Sequence, residues 1–573
     1  MTDAYPTAAV ATSLDTLKGE ASGARLMKNL RELSKWTKLA GTETEAESLR
    51  FLQTEMDALG YLTETILHDA YISLPGAASL HVDNTGFRCI THSMSASTPS
   101  EGISGDIVDA GNGSVATLEG LNVAGKILLV DGIANPVAAS NASKAGAIGV
   151  IHVSPHEHIH EMCISPVWGS PSVETFGLLP NVAVVTICDA DGEEVRRKLA
   201  YASQKATIHT CVDTGWRKTP LLVAELPAPQ ESAEPGEPFV LFSGHHDTWY
   251  YGVMDNGSAN VSIIETAKLC AMRRHEWRRG LRICFWSGHS QGRYSGSAWY
   301  ADEHWADLNR RCVAHVNIDS PGGVGADVLV NTGVMTELRP LAARAIENET
   351  GQVLSGKRKA RSADESFQGI GIPSMFGSLS GQSNSGAKMR NALGWWWHTP
   401  DDLFDKLDEG NLLRDTRILL EVVWRLLTDE VLPIDEAAKV AELRAELLKV
   451  SAALETSCPI EPLLAKTEKL EHALRALSEG KTPAGAPQIN AALVKVSRAL
   501  VPLDYSHGDR FIHEPATSIP AWPVLEPLRR LAQCGATSGD QYHLSRVSAV
   551  RARNRIAYHV DIALEAVEAA SRS

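Results

Sequence analysis

The chain is 573 residues long, 44% hydrophobic and 21% charged, with a formal net charge of -15. That length exceeds what one hydrophobic core fills, roughly 250 to 300 residues, and the composition excludes a disordered or fibrous chain, so two or three globular domains are expected. The acidic balance argues against nucleic acid, whose affinity depends on Lys and Arg neutralising phosphates.

No apolar run is long enough to cross a bilayer, and Met1 to Leu17 holds no basic patch followed by an apolar run, so the expectation is a cytoplasmic protein without membrane partners. Leu26, Leu30 and Leu33, then Ala46, Leu49, Leu52, Met56 and Leu59, recur at helical spacing up to Gly60 and predict two amphipathic helices. From Thr85 to Val212 short apolar runs, Lys126-Ile-Leu-Leu-Val130 and Ala147-Ile-Gly-Val-Ile151, alternate with Gly, Asn and Ser, the pattern of a small β-rich inserted domain. The strongest strands follow: Phe239-Val-Leu-Phe242, Leu281-Arg-Ile-Cys-Phe-Trp286 and Cys312-Val-Ala-His-Val-Asn-Ile318. Helical segments at Ala259 to Met272 and Ala298 to Asn309 lie between them. The fold class is therefore α/β with a doubly wound, mainly parallel sheet, and site residues should gather where its strands end. Beyond Asp435 the chain is helical through Val440 to Leu477, broken at Gly480 to Pro487, and closes on a helix near Val547 to Ala570. Its apolar faces suit packing or dimerisation. The resulting division is 1–84 with 213–434, an insert at 85–212, and a helical unit at 435–573. The nine scattered cysteines include no Cys-x-x-Cys and read as small buried hydrophobes.

Gly244-His245-His246-Asp247-Thr248 directly follows an apolar strand, and Met254-Asp255-Asn256-Gly257 follows within one loop. In extended chain His245 and Asp247 point to the same side, so the Asp247 carboxylate is placed to take the free ring N–H of a ligating His245. Asp255 adds an oxygen donor able to bridge two divalent cations. Asp319 closes the third strand, and His398 lies in the loop Trp395-Trp-Trp-His398-Thr-Pro-Asp-Asp402. Two His and two Asp at the ends of parallel strands suit zinc, with manganese, cobalt or nickel as alternatives.

These motifs, with Phe285-Trp286, Asn317-Ile-Asp319, Gly371-Ile-Pro373 and His398-Thr399, resemble the M28 metallopeptidases, and within them the glutamate carboxypeptidase and transferrin-receptor branch. The resemblance extends over nearly the whole chain. Residues 85–212 are similar to the protease-associated domain of that branch, and Lys495 to Ala570, with Pro502-Leu-Asp504, to its helical dimerisation domain. The likeness implies a homodimer with one or two divalent metals per chain. His245, Asp255 and Asp319 would hold one ion, Asp255 and His398 the other, and Asp247 would orient His245. The implied activity is hydrolysis of a peptide or amide bond by metal-activated water, on a peptide or small-molecule substrate.

One part of the pattern differs. In the family two consecutive glutamates follow the second strand, the first a general base and the second a metal ligand. Here the stretch reads Ser287-Gly-His-Ser-Gln-Gly-Arg-Tyr-Ser-Gly-Ser297. Counting forward from Phe285-Trp286 places His289 at the base position and Ser290 at the ligand position; counting back from Gly296-Ser297 gives Ser290 and Gln291. The first register is preferred because imidazole is a competent base or metal ligand near neutral pH. Three functional readings follow: His289 as base or nitrogen ligand, a single-metal hydrolase acting by Lewis-acid polarisation, or a metal-bound binding protein without catalysis. A lyase on the same scaffold is a further class. The binding-protein reading is the weaker, because buried carboxylates kept without a cation are costly. Arg293 and Tyr294 are candidates for binding a substrate carboxylate or oxyanion, weighed against ordinary surface contacts. Trp249-Tyr-Tyr251 and Trp395-Trp-Trp397 are candidate pocket walls. The cluster His152, His156, His158 and His160 reads as a solvated loop in preference to a metal trap.

Overall fold

The computed structural model describes residues 8–229, 236–356, 358–383, 392–535 and 538–572, with backbone alone for 8–12. Of the stretch read above for a targeting signal, residues 1–7 lie outside the described residues. The strands run in chain order as β1 (Leu62–Val82), β2 (Thr85–Phe87), β3 (Ile90–Thr91), β4 (Ile103–Asp109), β5 (Ile127–Asp131), β6 (Gly149–Val153), β7 (Ala183–Ile187), β8 (Lys205–Leu226), β9 (Phe239–His245), β10 (Gly280–Trp286), β11 (Cys312–Asp319) and β12 (Ser374–Ser378).

Four strands, β10, β9, β11 and β12, lie side by side in that order and parallel. Every residue of β9 and β10 is buried, as expected of a parallel sheet covered on both faces. Along β9, Val240 and Phe242 pack against the helices Ala259–Met272 and Glu409–Thr428, while Phe239 and Leu241 pack on the opposite face with Tyr300 and Leu308. The helix Ala259–Met272 is buried almost all round, with apolar and small side chains on every face rather than in a stripe, and its buried Glu265 is paired with Arg25. Because β10 and β11 flank β9 on opposite sides, the direction of winding reverses at β9. The crevice this opens lies at the carboxyl ends of β9 and β11, the usual binding position in such sheets.

Beyond β10 the sheet turns antiparallel through β8, which pairs along most of its length with β1. The far end of β8 carries a second ladder, antiparallel to β4 and then parallel through β4, β5, β6 and β7. The stretch 85–212 is thus mixed rather than simply β-rich, for it also forms the helices Pro136–Lys144 and Asp189–Tyr201. Parallel neighbours require crossover connections, and Pro136–Lys144 supplies the one between β5 and β6, while Asp189–Tyr201 leads from β7 back to β8. The boundary placed at 84 falls in the turn joining β1 and β2, and the one placed at 212 falls inside β8.

A helix not anticipated from periodicity, Ala8–Glu20, precedes Gly23–Leu33 and Glu43–Ala58. Ser22 and Thr42 start the latter two by accepting main-chain N–H bonds from Arg25 and Glu45. The apolar run from 440 is two helices, Glu436–Leu454 and Glu461–Ser478, followed by Ala486–Tyr505, Glu526–Ala532 and Asp540–Arg572. Among the described residues no helix is long and apolar enough to cross a membrane. All nine cysteines are free; five are buried, while Cys211 is exposed and does not fit the expectation of burial.

Candidate metal centre

His245 ends β9, and Asp319 ends the neighbouring β11. Asp255 comes from the turn Val253–Ser258 that leads from β9 into the next helix. That turn depends on Gly252, whose φ is 49° and where a Cβ would sit 2.2 Å from the Asp255 carbonyl oxygen. Asp402, buried behind it, accepts the main-chain N–H groups of Met254 at 2.9 Å and Asp255 at 3.0 Å and so fixes where the Asp255 carboxylate points.

The Asp255 oxygens face one imidazole each: Oδ1 lies 3.0 Å from His245 Nε2, and Oδ2 lies 3.0 Å from His398 Nε2. Asp319 Oδ1 is 3.6 Å from the same His245 nitrogen. Both imidazoles have their other nitrogen against a main-chain carbonyl, His245 Nδ1 on Asp247 O at 2.7 Å and His398 Nδ1 on Glu161 O at 2.7 Å. A carbonyl only accepts, so each Nδ1 carries a proton, and a ring with no second proton presents a lone pair at Nε2. Such lone pairs would meet carboxylate oxygens, and the buried His245 Nε2 and Asp255 Oδ1 have no hydrogen-bond partner among the described residues. Positive charge between them, a proton on Nε2 or a metal ion, resolves this. Burial opposes a charged His245, yet Asp255 and Asp319 outweigh it and hold its pKa well above the ordinary value. Burial likewise opposes an ionised Asp255, and the two imidazoles hold its pKa well below the usual range. A buried N/O donor set with this demand fits a zinc-like divalent cation.

Asp247 acts differently from the sequence expectation. Its carbonyl, not its carboxylate, takes the His245 N–H; the carboxylate accepts the main-chain N–H groups of His289 at 3.0 Å and Ser290 at 2.8 Å. The Asp247 side chain thus reaches the 287–295 loop, which it anchors. That loop lays the His289 ring parallel to His245, with centroids 3.7 Å apart and planes at 14°. One donor atom each from His245, His289 and Asp319 lies within 4.8 Å of the others. His289 Nδ1 is 2.7 Å from Asp364 Oδ2. Burial would raise the Asp364 pKa, but His289 beside it keeps it below the ordinary value.

Ser290 lines the same cavity as His289. Gln291 does not: it is fully buried, with Nε2 donating to Thr248 O at 3.0 Å and Oε1 accepting from Ala40 N at 2.9 Å. Arg293 and Tyr294 stand on the cavity wall, both with left-handed backbones, φ 52° and 72°. Arg293 Nη2 donates to Ala516 O at 3.1 Å, and Tyr294 packs between His289 and Trp168. The cavity, about 490 Å³, also exposes Asp255, Asp319 and His398, with Trp249 and Trp397 among its walls. Trp397 stacks on His398 at 3.5 Å; Trp396 turns inward to Met254, and Trp395 stacks on His158.

The histidine group of the insert is not a solvated loop. His152 and His160 are buried, and His160 Nδ1 contacts Trp397 O at 2.5 Å. His156 Nδ1 accepts the His158 N–H, leaving its Nε2–H to donate to His160 Nε2 at 3.2 Å, so these rings satisfy one another. Their apolar faces pack against the tryptophan run, which is why they leave water. Glu161, next in the chain, exchanges main-chain hydrogen bonds with His398: its carbonyl takes the ring N–H, and its N–H meets His398 O at 3.0 Å. The residues missed from sequence, Glu161, Asp364 and Asp402, thus orient the others.

The model for peptidase family M28 matches residues 222–423, a stretch holding His245, Asp255, Asp319 and His398. The central segment is thus similar to the peptidases of family M28. A probable glutamate carboxypeptidase of Zea mays is 26% identical over 241 residues, 37% of this chain and 32% of that protein, so the match spans about a third of its length. One from Arabidopsis thaliana is 22% identical over 526 residues, 77% of this chain and 73% of that protein. Among solved structures, a peptidase M28 precursor from Shewanella amazonensis is 17% identical, covers 74% of this chain and 98% of its own, and has a TM-score of 0.59. A zinc aminopeptidase from Bacillus subtilis is 19% identical, with 72% and 96% covered and a TM-score of 0.55. These structures share the fold of this chain over the part they cover.

Proposed function

We propose that the M28-like domain is a metal-dependent hydrolase of peptide or amide bonds with His289 in the place of the family's glutamate base. One observation carries the reading: the two Asp255 oxygens each face an imidazole nitrogen, in a buried setting that demands positive charge. His245, Asp255, Asp319 and His398 would hold the metal, one or two zinc ions per chain. Such an ion, when bound, polarises a carbonyl and lowers the pKa of water. His289 accepts a proton at Nε2, since Nδ1 is engaged by Asp364, and returns it to the departing nitrogen. Arg293 and Tyr294 confine the substrate beside this ring, with Ser290 next to it on the wall. The substrate would be a peptide or small N-acyl compound that a cavity of about 490 Å³ admits. We also propose that residues 435–573 support a homodimer, since Leu544, Val547 and Tyr558 are exposed along the last helix.

A second reading, favoured by the 4.8 Å grouping of His245, His289 and Asp319, makes His289 a nitrogen ligand. Elemental analysis of the parent and His289→Ala separates the two. As base, His289→Ala keeps the metal and loses roughly two to four orders of magnitude in turnover of aminoacyl 4-nitroanilides. As ligand, metal content falls in step with activity. Retention of both metal and full turnover would sink both readings.

A further inference from the structure

We propose that Asp364 is the positioning residue for His289: by accepting the ring Nδ1–H it keeps the Nε2 lone pair of that imidazole available to the cavity. The inference builds on the role given to His289 above and holds whether that role is base or ligand.

Asp364 is buried and absent from the cavity wall, whereas its neighbour Ala363 and His289 are both on it. It therefore acts through the ring. Its two oxygens are both committed, Oδ2 to His289 Nδ1 at 2.7 Å and Oδ1 to Ser297 Oγ at 2.8 Å. Ser297 Oγ lies 2.9 Å from Ser366 Oγ, which accepts the Trp168 indole N–H at 2.9 Å. The carboxylate is thus gripped on both sides and cannot swing away from the imidazole. An ionised carboxylate only accepts, so the proton it faces must sit on Nδ1, leaving Nε2 with its lone pair. The backbone gives an independent sign. Ala363 and Asp364 have φ of 48° and 59°, two successive non-glycine residues in the left-handed region. Such a residue is strained and persists only where its surroundings enforce it. Here Asn317 of β11, two residues before Asp319, donates from Nδ2 to Ala363 O at 2.6 Å and holds the loop in that shape. The strand that delivers a metal-site carboxylate thus also pins the loop that aims the imidazole.

The test uses the full-length chain loaded with zinc, with aminoacyl 4-nitroanilides as probes. Asp364→Asn should lower kcat roughly a hundredfold with KM changed less than about threefold. In a His289→Ala background it should cost nothing further, because its effect passes through the ring. Ser297→Ala, a milder change, should give a smaller loss that also vanishes without His289. Equal losses with and without His289, or full kcat in Asp364→Asn while His289→Ala is crippled, overturn the proposal and leave the reading of His289 standing. Full turnover in His289→Ala would instead overturn that reading. A second readout does not depend on turnover: nitrogen-15 NMR of histidine-labelled protein at alkaline pH, with the His289 ring assigned by its loss in His289→Gln. The parent should show the Nδ1–H tautomer and Asp364→Asn should lose it. An Nε2–H ring in the parent refutes the assignment.

Discussion

Asp402→Ala should weaken the metal site while leaving the fold nearly as stable as before. The substitution removes the acceptor for two buried N–H groups, on Met254 and Asp255. Each such orphan costs about 1–3 kcal/mol, so the loss is about 2–6 kcal/mol. Against it stands the cost of the carboxylate itself, whose pKa burial pushes up to about 7 from an ordinary 3.8. Three pH units amount to about 4 kcal/mol against the ionised form, and alanine removes that burden. The two effects nearly cancel at pH 7, and a net change under about 2 kcal/mol is expected. The balance shifts with pH. A carboxyl whose pKa is raised on folding favours the folded state below its unfolded pKa, and this is lost as pH rises through about 7; the variant should therefore look worst near pH 4 and best near pH 7. Metal affinity has no such compensation, because the Asp255 peptide is freed, and it should fall about ten- to a hundredfold. Urea unfolding of metal-free protein at constant m-value measures the first quantity, and zinc competition against a chromogenic chelator the second. A loss of more than about 3 kcal/mol at pH 7 with unchanged zinc affinity would refute the assignment of Asp402 as the support of Asp255.

Asp255→Ala should strip the site more completely than His398→Ala, because its oxygens face both imidazoles whereas His398 meets only one of them; equal zinc per chain by elemental analysis would contradict the bridge. Burial lowers the pKa of His92 to about 3, of His152 to about 4 and of His315 to about 3. Their unfolded forms titrate near 6.5, so stability present at neutral pH should be lost as pH falls below about 6, by up to about 1.4 kcal/mol per pH unit for each ring. His315→Gln should flatten that slope by one proton in urea titrations between pH 5 and 7. Arg498 donates to the carbonyls of Asn309 at 2.8 Å, Gly371 at 2.8 Å and Cys312, tying the helix Ala486–Tyr505 to β11 and its surroundings. Arg498→Ala should cost about 3 kcal/mol in chemical unfolding, and deletion of residues 495–573 should yield aggregates by light scattering; a soluble, fully active truncation would contradict that packing.

What could be read from sequence was the part of the site carried by regular strands. His245 and Asp319 terminate buried apolar runs, and their period and endpoints fix where the side chains emerge. Asp255 follows in the short connection to a helix, and His398 was marked by its residue type. The supporting groups lacked any such cue. Asp364 sits in an irregular stretch after Gly351 with no hydrophobic period, and its value depends on a left-handed backbone that Asn317 enforces from another element. Glu161 contributes its main chain, to which side-chain chemistry gives no clue. The misreading of Asp247 has the same origin: a spacing of two says which side a carboxylate takes in extended chain, but the strand had already ended at His245. The histidine group was misplaced because local composition, polar and glycine-flanked, says nothing of a tryptophan run more than 230 residues away that covers it. In each case the residue proposed to do the chemistry was legible from its own neighbours, and the residue that aims it was fixed by a contact between distant segments. For this chain the distinction bears on function, because the family's two glutamates are gone. On the proposed reading, the imidazole at 289 depends in turn on the separate loop that holds its ring.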